Sequence, residues 1–152
     1  MSTAETRNVV LGFFDGLSTG RLEAALELLD EEFVWRVSGR PEYLPIAGTY
    51  GKEEVPALVA KVGAAMPDGI RMTVTGTTVE GDRAAVEAEV HGVSPAGKVY
   101  DNRNFFAVEV RDGRIRAVRE YFDTIHTNEV LFDNVYADAV LDTAGEPGHV
   151  RD

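Results

Sequence analysis

The chain has 152 residues, no cysteine, and 26 acidic against 15 basic side chains, a formal net charge of −11. That length suits one domain spanning residues 1–152, and the acidic surface argues against nucleic-acid and membrane partners by repelling phosphate and anionic lipid. The missing cysteines exclude disulfides and thiol catalysis. MSTAETRNVV carries no basic leader and nothing approaches ~20 consecutive apolar residues, so the expectation is a cytoplasmic chain that crosses no membrane.

Thr3 and Thr6 offer capping chemistry, and Val9, Val10, Phe13, Phe14 and Leu17 follow at helical spacing as far as Gly20. Leu22, Ala25, Leu26 and Leu29 form the apolar stripe of a second helix. Phe33 to Val37 reads as a short strand, followed by a Pro- and Gly-containing loop from Ser38 to Tyr50. A third helix opens at Gly51-Lys52, accommodates Pro56 in its first turn and buries Val55, Leu58, Val59 and Val62. Met66-Pro67-Asp68-Gly69 stops it, and from Ile70 the apolar period becomes two, predicting strands over 70–79, 84–93, 99–111 and 114–123. A short helix is expected after Thr127 and a loose tail from Thr143, which leaves a core of about residues 5–133. Helices first and antiparallel strands afterwards predict an α+β domain with three N-terminal helices packed on a curved antiparallel sheet.

The most informative stretch is YDNRNFFAVEVRDGRIRAVREYFD, Tyr100 to Asp123. Asp112-Gly113 is a strong signal for a type I′ hairpin turn. Counting outward without interruption pairs Val110 with Ile115, Val108 with Ala117, Phe106 with Arg119, Asn104 with Tyr121 and Asn102 with Asp123. The opposite face then pairs Glu109 with Arg116 and Phe105 with Glu120. The first face is apolar near the turn and polar at its far end, which reads as a pocket wall or as a solvated sheet with polar ends. On strand 84–93, Glu87, Glu89 and His91 alternate with Val86, Ala88 and Val90. A four-residue loop, Ser94 to Gly97, pairs Glu89 with Asn102 and turns the acids and the imidazole inward. A pairing of Glu89 with Arg103 turns them outward, and the inward register is the reading taken.

On that register Asp123 is the candidate general acid or base, because apolar surroundings would raise its pKa. His91 is its complementary proton donor, oriented by Glu89. Glu87, Asn102, Asn104 and Tyr121 would hold polar substrate groups, and Phe14, Trp35, Tyr43 and Phe106 its carbon skeleton. His126, three residues beyond Asp123, reads as a surface residue. Without Cys or His-x-x-x-His, and with His149 in the tail, no metal site is expected. No glycine-rich phosphate loop or Gly-x-Ser-x-Gly elbow is present, so no cofactor and no serine nucleophile are expected.

Gly97-Lys98-Val99-Tyr100, the run from Phe105 ending in Arg-Asp-Gly-Arg-Ile, and Val118-Arg119-Glu120-Tyr121-Phe122-Asp123 resemble the SnoaL-like branch of the NTF2-like superfamily over residues 5 to 133. The resemblance implies a cone-shaped α+β barrel, a homodimer joined through the outer sheet face, and relatives among polyketide cyclases, limonene epoxide hydrolases and ketosteroid isomerases. It also implies that Asp123 projects into the cavity as an acid/base group. Departures accompany it. No acid stands at Trp35-Arg36-Val37, where ketosteroid isomerases carry their base, and Phe13 or Phe14 replaces their oxyanion tyrosine. Glu87, Glu89 and His91 occupy the strand on which epoxide hydrolases set an Arg and an Asp. The implied function is a cofactor-independent acid/base enzyme of specialised metabolism that acts on a hydrophobic small molecule by cyclisation, epoxide opening, isomerisation or dehydration. The alternatives are a non-catalytic small-molecule-binding protein of the same fold and a purely structural association domain.

Overall fold

A computed structural model of the chain describes residues 1–132. Helix α1 (Thr3–Ser18) is capped by Ser2 rather than Thr3. The Ser2 side chain accepts from the Glu5 backbone N–H at 3.2 Å, and the Glu5 carboxylate accepts from the Ser2 N–H at 2.7 Å, a reciprocal box that satisfies two otherwise orphaned donors. Helix α2 (Leu22–Glu27) follows, then strands β1 (Leu29–Val37) and β2 (Gly48–Gly51), one 3₁₀ turn (Lys52–Glu54), and α3 (Val55–Ala65). Strands β3 (Ile70–Glu80), β4 (Arg83–Val93), β5 (Val99–Arg111) and β6 (Arg114–Tyr121) run consecutively into α4 (Thr124–Leu131).

The described strands form one open, curved six-stranded sheet of order β2-β1-β6-β5-β4-β3, with α1 and α3 on its concave side. This is the expected α+β cone, with three additions. Leu29 opens β1 instead of ending the second helix, and β2 forms inside what reads as a loop. In addition, β1 runs parallel to β6, Val37 beside Glu120, so the sheet is mixed; that pairing joins segments some eighty residues apart, beyond the reach of local pattern. Helix α4 starts at Thr124, earlier than expected. The loose tail expected from Thr143, and the last residue of the expected core, 133, lie outside the described residues.

Val10, Phe13 and Phe14 of α1 have no exposed surface and pack on the sheet, with the Phe14 and Phe106 rings 4.7 Å apart. The Thr6 hydroxyl donates to the Gly81 carbonyl at 2.6 Å, pinning α1 to the β3–β4 turn. At Gly92 a Cβ would stand 2.6 Å from Met66 Cε and 3.0 Å from the Gly69 carbonyl. Only glycine lets the segment leaving α3 cross β4 so closely.

Two local events decide which side chains enter the cone. The β4–β5 loop has five residues, 94–98, closed by Ser94 N–H to Lys98 O at 2.8 Å and Lys98 N–H to Ser94 Oγ at 3.1 Å. It pairs Glu89 with Arg103 and His91 with Asp101, so Glu87, Glu89 and His91 face outward and are exposed. The second event lies in the β5–β6 hairpin. Asp112 and Gly113 have φ values of 51° and 78°, as a type I′ turn requires, and Val110 pairs with Ile115 as expected. Arg116 then bulges out. Glu109 pairs with Ala117, Val108 with Val118, Phe106 with Glu120 and Phe105 with Tyr121. From that point every side chain of β6 is on the face opposite to the one that uninterrupted counting gives.

Candidate functional site

The bulge brings Glu120, not Asp123, onto the concave face. Glu120 stands across from Phe106 on β5 and beside Val37 on β1. It borders an open-mouthed cavity of about 200 Å³ between the sheet and residues of α1, α3 and α4, Leu17, Leu58, Val62 and Leu131 among them. The walls are mostly apolar. No hydrogen bond or ion pair reaches the Glu120 carboxyl among the described residues. Glu120 keeps some exposed surface, but desolvation by burial pushes its pKa up from the ordinary 4.5 to about 8, because the charged form has lost much of its water without gaining a partner. At neutral pH Glu120 is therefore chiefly a neutral acid with a proton to give.

Two further polar groups lie on the same wall. Trp35, 5% exposed, borders the cavity, and its indole Nε1 has no hydrogen-bond partner; the same holds for Asn104 Oδ1. Such orphaned buried atoms are uncommon in folded proteins and call for an explanation. Trp35 is level with Val118 and Asn104 with Ala88, so on this face Trp35 and Asn104 are diagonal neighbours of Glu120 on its two flanking strands. Diagonal residues of a sheet stand about 7–8 Å apart. Three polar side chains, Trp35, Asn104 and Glu120, thus stand on the wall of a mostly apolar cavity.

Tyr100 also borders the cavity, but its proton is committed. The Thr127 hydroxyl donates to the Asp123 carbonyl at 2.9 Å, so the phenol donates to Thr127 Oγ1 at 3.0 Å. Burial pushes the phenol's pKa up, against the lowering effect of its hydrogen bonds with Thr127 and Asn102. Asn102, 3% exposed, joins β5 to α4. Its Nδ2 donates to the Asp123 carbonyl at 3.0 Å, and its Oδ1 accepts from the Asp123 N–H at 3.2 Å and from the Arg103 N–H at 2.9 Å.

Several sequence expectations are corrected by this geometry. The Asp123 side chain is exposed and caps α4, accepting from the His126 N–H at 2.9 Å; the bulge has turned it away from the cavity. Tyr121 is 48% exposed on the outer face, across from Phe105. Glu87, Glu89 and His91 share that outer face, so the Asp123–His91 relay with Glu89 behind it is not assembled. Asn102 is spent on the α4 junction, Phe14 lies in the core beneath Phe106, and Tyr43 is half-exposed on the β1–β2 loop. Trp35, Asn104 and Phe106 do line the cavity as expected. His126 is only partly exposed, stacking on Tyr100 at 5.4 Å and accepting from the Asp101 N–H at 3.1 Å.

Glu120 is the residue that uninterrupted counting misses, although a signal for it exists. Ile115 and Val118 are both large and apolar yet three apart, so a regular strand cannot bury both. Both are fully buried, and a bulge between them is the resolution. Among the described residues no group of three or more His, Cys, Asp or Glu side chains could hold a metal ion. No helix among them is long and apolar enough to cross a membrane.

The model of a SnoaL-like domain matches residues 10–118 of the chain. Among solved structures, an NTF2-like protein from Burkholderia xenovorans LB400 is 25% identical, covering 86% of this chain and 98% of its own with a TM-score of 0.70. TerC co-crystallised with polyporic acid is 20% identical, covering 84% of this chain and 98% of its own with a TM-score of 0.75. A protein from Jannaschia sp. CCS1, assigned as a SnoaL-like polyketide cyclase, is 20% identical over 85% of this chain and 92% of its own, with a TM-score of 0.70. No curated protein matches the sequence.

Proposed function

The chain belongs to the SnoaL-like domain family, and within it we propose a cofactor-independent acid/base enzyme that acts on a hydrophobic small molecule through Glu120. The observation that carries this reading is a single unpaired carboxyl, its pKa raised to about 8, in an otherwise apolar cavity. Raised carboxyl pKa values in such cavities suit proton transfer near neutrality. In its neutral form Glu120 donates a proton to a substrate oxygen, which serves epoxide opening, dehydration or cyclisation. In its ionised form it takes a proton from a carbon beside a carbonyl. The proton then returns to carbon from the same carboxyl. The apolar walls lower the local polarity and strengthen these proton transfers.

Deuterium exchange tests this. Methyl ketones of increasing size, from acetophenone through 2-acetylnaphthalene to an acetyl steroid, are incubated with the protein in D₂O and followed by NMR. Exchange beside the carbonyl should rise with pH to a plateau above about 8. Glu120→Gln should cut it by about a hundredfold or more. Exchange that is equal in both proteins removes Glu120 from the chemistry; no exchange with any ketone favours the alternative, a binding protein of the same fold.

Two copies are further proposed to pair over the outer sheet face. What supports this is the cross-strand pair Phe105 (41% exposed) and Tyr121 (48% exposed), two adjacent rings on the outer face that a second copy would cover. Wild-type protein should sediment as a dimer at micromolar concentration and Tyr121→Lys as a monomer. A monomeric wild type refutes the pairing.

A further inference from the structure

The mouth of the Glu120 cavity is itself apolar. Val59 is the most exposed of the lining residues, at 39%, and Val62, Ile70, Met72 and Leu131 are each partly exposed. Side chains from α3, the start of β3 and the end of α4 thus present apolar surface to water around one opening. Burying that surface is favourable for whatever apolar group seats on it.

The place of the opening in the fold points to its occupant. Ile70, Met72, Val130 and Leu131 pack around Met66, Val90 and Tyr100, and Asn102 ties the start of α4 to the sheet. The chain therefore arrives at Leu131 on the rim, with residues 133–152 still to come. The next ten, 133–142, read DNVYADAVLD. Val135, Tyr136, Ala139 and Val140 recur there at the spacing of one helix face, and neither proline nor glycine interrupts them. Because this segment is attached beside the mouth, its effective concentration is on the order of millimolar, far above that of any separate chain at micromolar concentration.

We propose that residues 133–142 fold back over the mouth of the cavity and set Val135, Tyr136 and Val140 against Val59, Val62, Ile70 and Met72. This cover rests on the reading of the cavity as the site of chemistry, where it supplies the exclusion of water that an open mouth lacks. A substrate then enters and leaves only when the segment lifts.

The chain has no cysteine, so Ala137→Cys carries a single nitroxide, at a position outside the apolar set. In the full-length protein, isotope-labelled and spin-labelled on the same chain, the methyl signals of Val59, Val62 and Ile70 should broaden. Those of Val34, on the outer face, and Val110, beside the hairpin turn, should stay sharp. Val140→Asp, added to the labelled chain, should restore the mouth signals. It should also raise the rate at which the neutral dye N-phenyl-1-naphthylamine enters by about tenfold, the worth of one buried valine. Mouth signals that stay sharp in the labelled chain overturn the proposal. So does broadening of Val59 and Ile70 when spin-labelled protein is mixed with isotope-labelled, cysteine-free protein, because that gives the mouth to a second copy. The nitroxide result alone suffices if Val140→Asp does not fold. Broadening at the mouth without exchange of any ketone sustains the cover and removes the catalytic reading; ketone exchange with sharp mouth signals does the reverse.

Discussion

Arg116 occupies no pairing position in the hairpin, and the chemistry of the concave face depends on that. Its guanidinium donates to the Glu32 carbonyl and lies 3.6 Å from the Glu32 carboxylate, which holds the extra residue out toward β1. Beyond it, Val118, Glu120 and Phe122 turn toward the cone and Arg119 turns away to meet Glu109 at 3.0 Å. Asp123 becomes a helix cap. Asp123→Ala should therefore cost about 1 kcal/mol in denaturant unfolding, and Asp123→Asn, which keeps a capping oxygen, much less. Neither should alter ketone exchange; loss of exchange in Asp123→Asn would return this residue to the chemistry. The hairpin turn and the apolar floor were legible in the sequence because both depend on neighbours a few positions apart. The polar occupant of the cavity was not, since a shift of one residue in β6 and a five-residue rather than four-residue β4–β5 loop each exchange one face for the other.

The start of helix α4 is tied to the sheet by one carboxamide. Asn102 bonds both backbone groups of Asp123, the Tyr100 phenol and the Thr127 hydroxyl, while Leu131 at the far end of the helix borders the cavity. Asn102→Leu leaves several buried donors and acceptors unpaired, each costing about 1–3 kcal/mol. It should lower stability by about 2–4 kcal/mol and speed amide exchange in 124–131 ahead of the central strands. Uniform acceleration along the chain would show that the junction is not local. Sequence pattern located α1, α2, α3 and the four consecutive strands because each carries its own period. It gave no warning of β2, whose Gly-Thr-Tyr-Gly has too few residues to show a period, or of the parallel β1–β6 pairing, which only the whole sheet specifies.

At the scale of the whole molecule, the partly buried Glu120 carboxyl ties stability to pH. Glu120 titrates near 4.5 when unfolded and near 8 when folded, so between those values the folded state keeps a proton that the unfolded state has released. Stability is greatest, as far as this group is concerned, below pH 4.5, falls as pH rises, and reaches its full deficit above pH 8. Urea unfolding of wild type and Glu120→Gln, compared at each pH, cancels the contribution of the many other acids. The two should match near pH 4, and the glutamine variant should be more stable by on the order of 3–5 kcal/mol at pH 9. A difference that does not vary with pH would mean that water reaches the carboxyl.

The bulge also bears on how this chain is to be aligned with its relatives. A column-by-column alignment that carries β6 as an unbroken strand sets an inward residue of one protein against an outward residue of another, and a carboxylate transferred by such a column lands in solvent. Residues of β6 are better matched through the partner each faces, with Phe106 as the fixed point for Glu120. The same geometry offers a lineage a short route to new chemistry: gaining or losing one residue beside the turn replaces the cavity's polar group by its neighbour without altering any side chain.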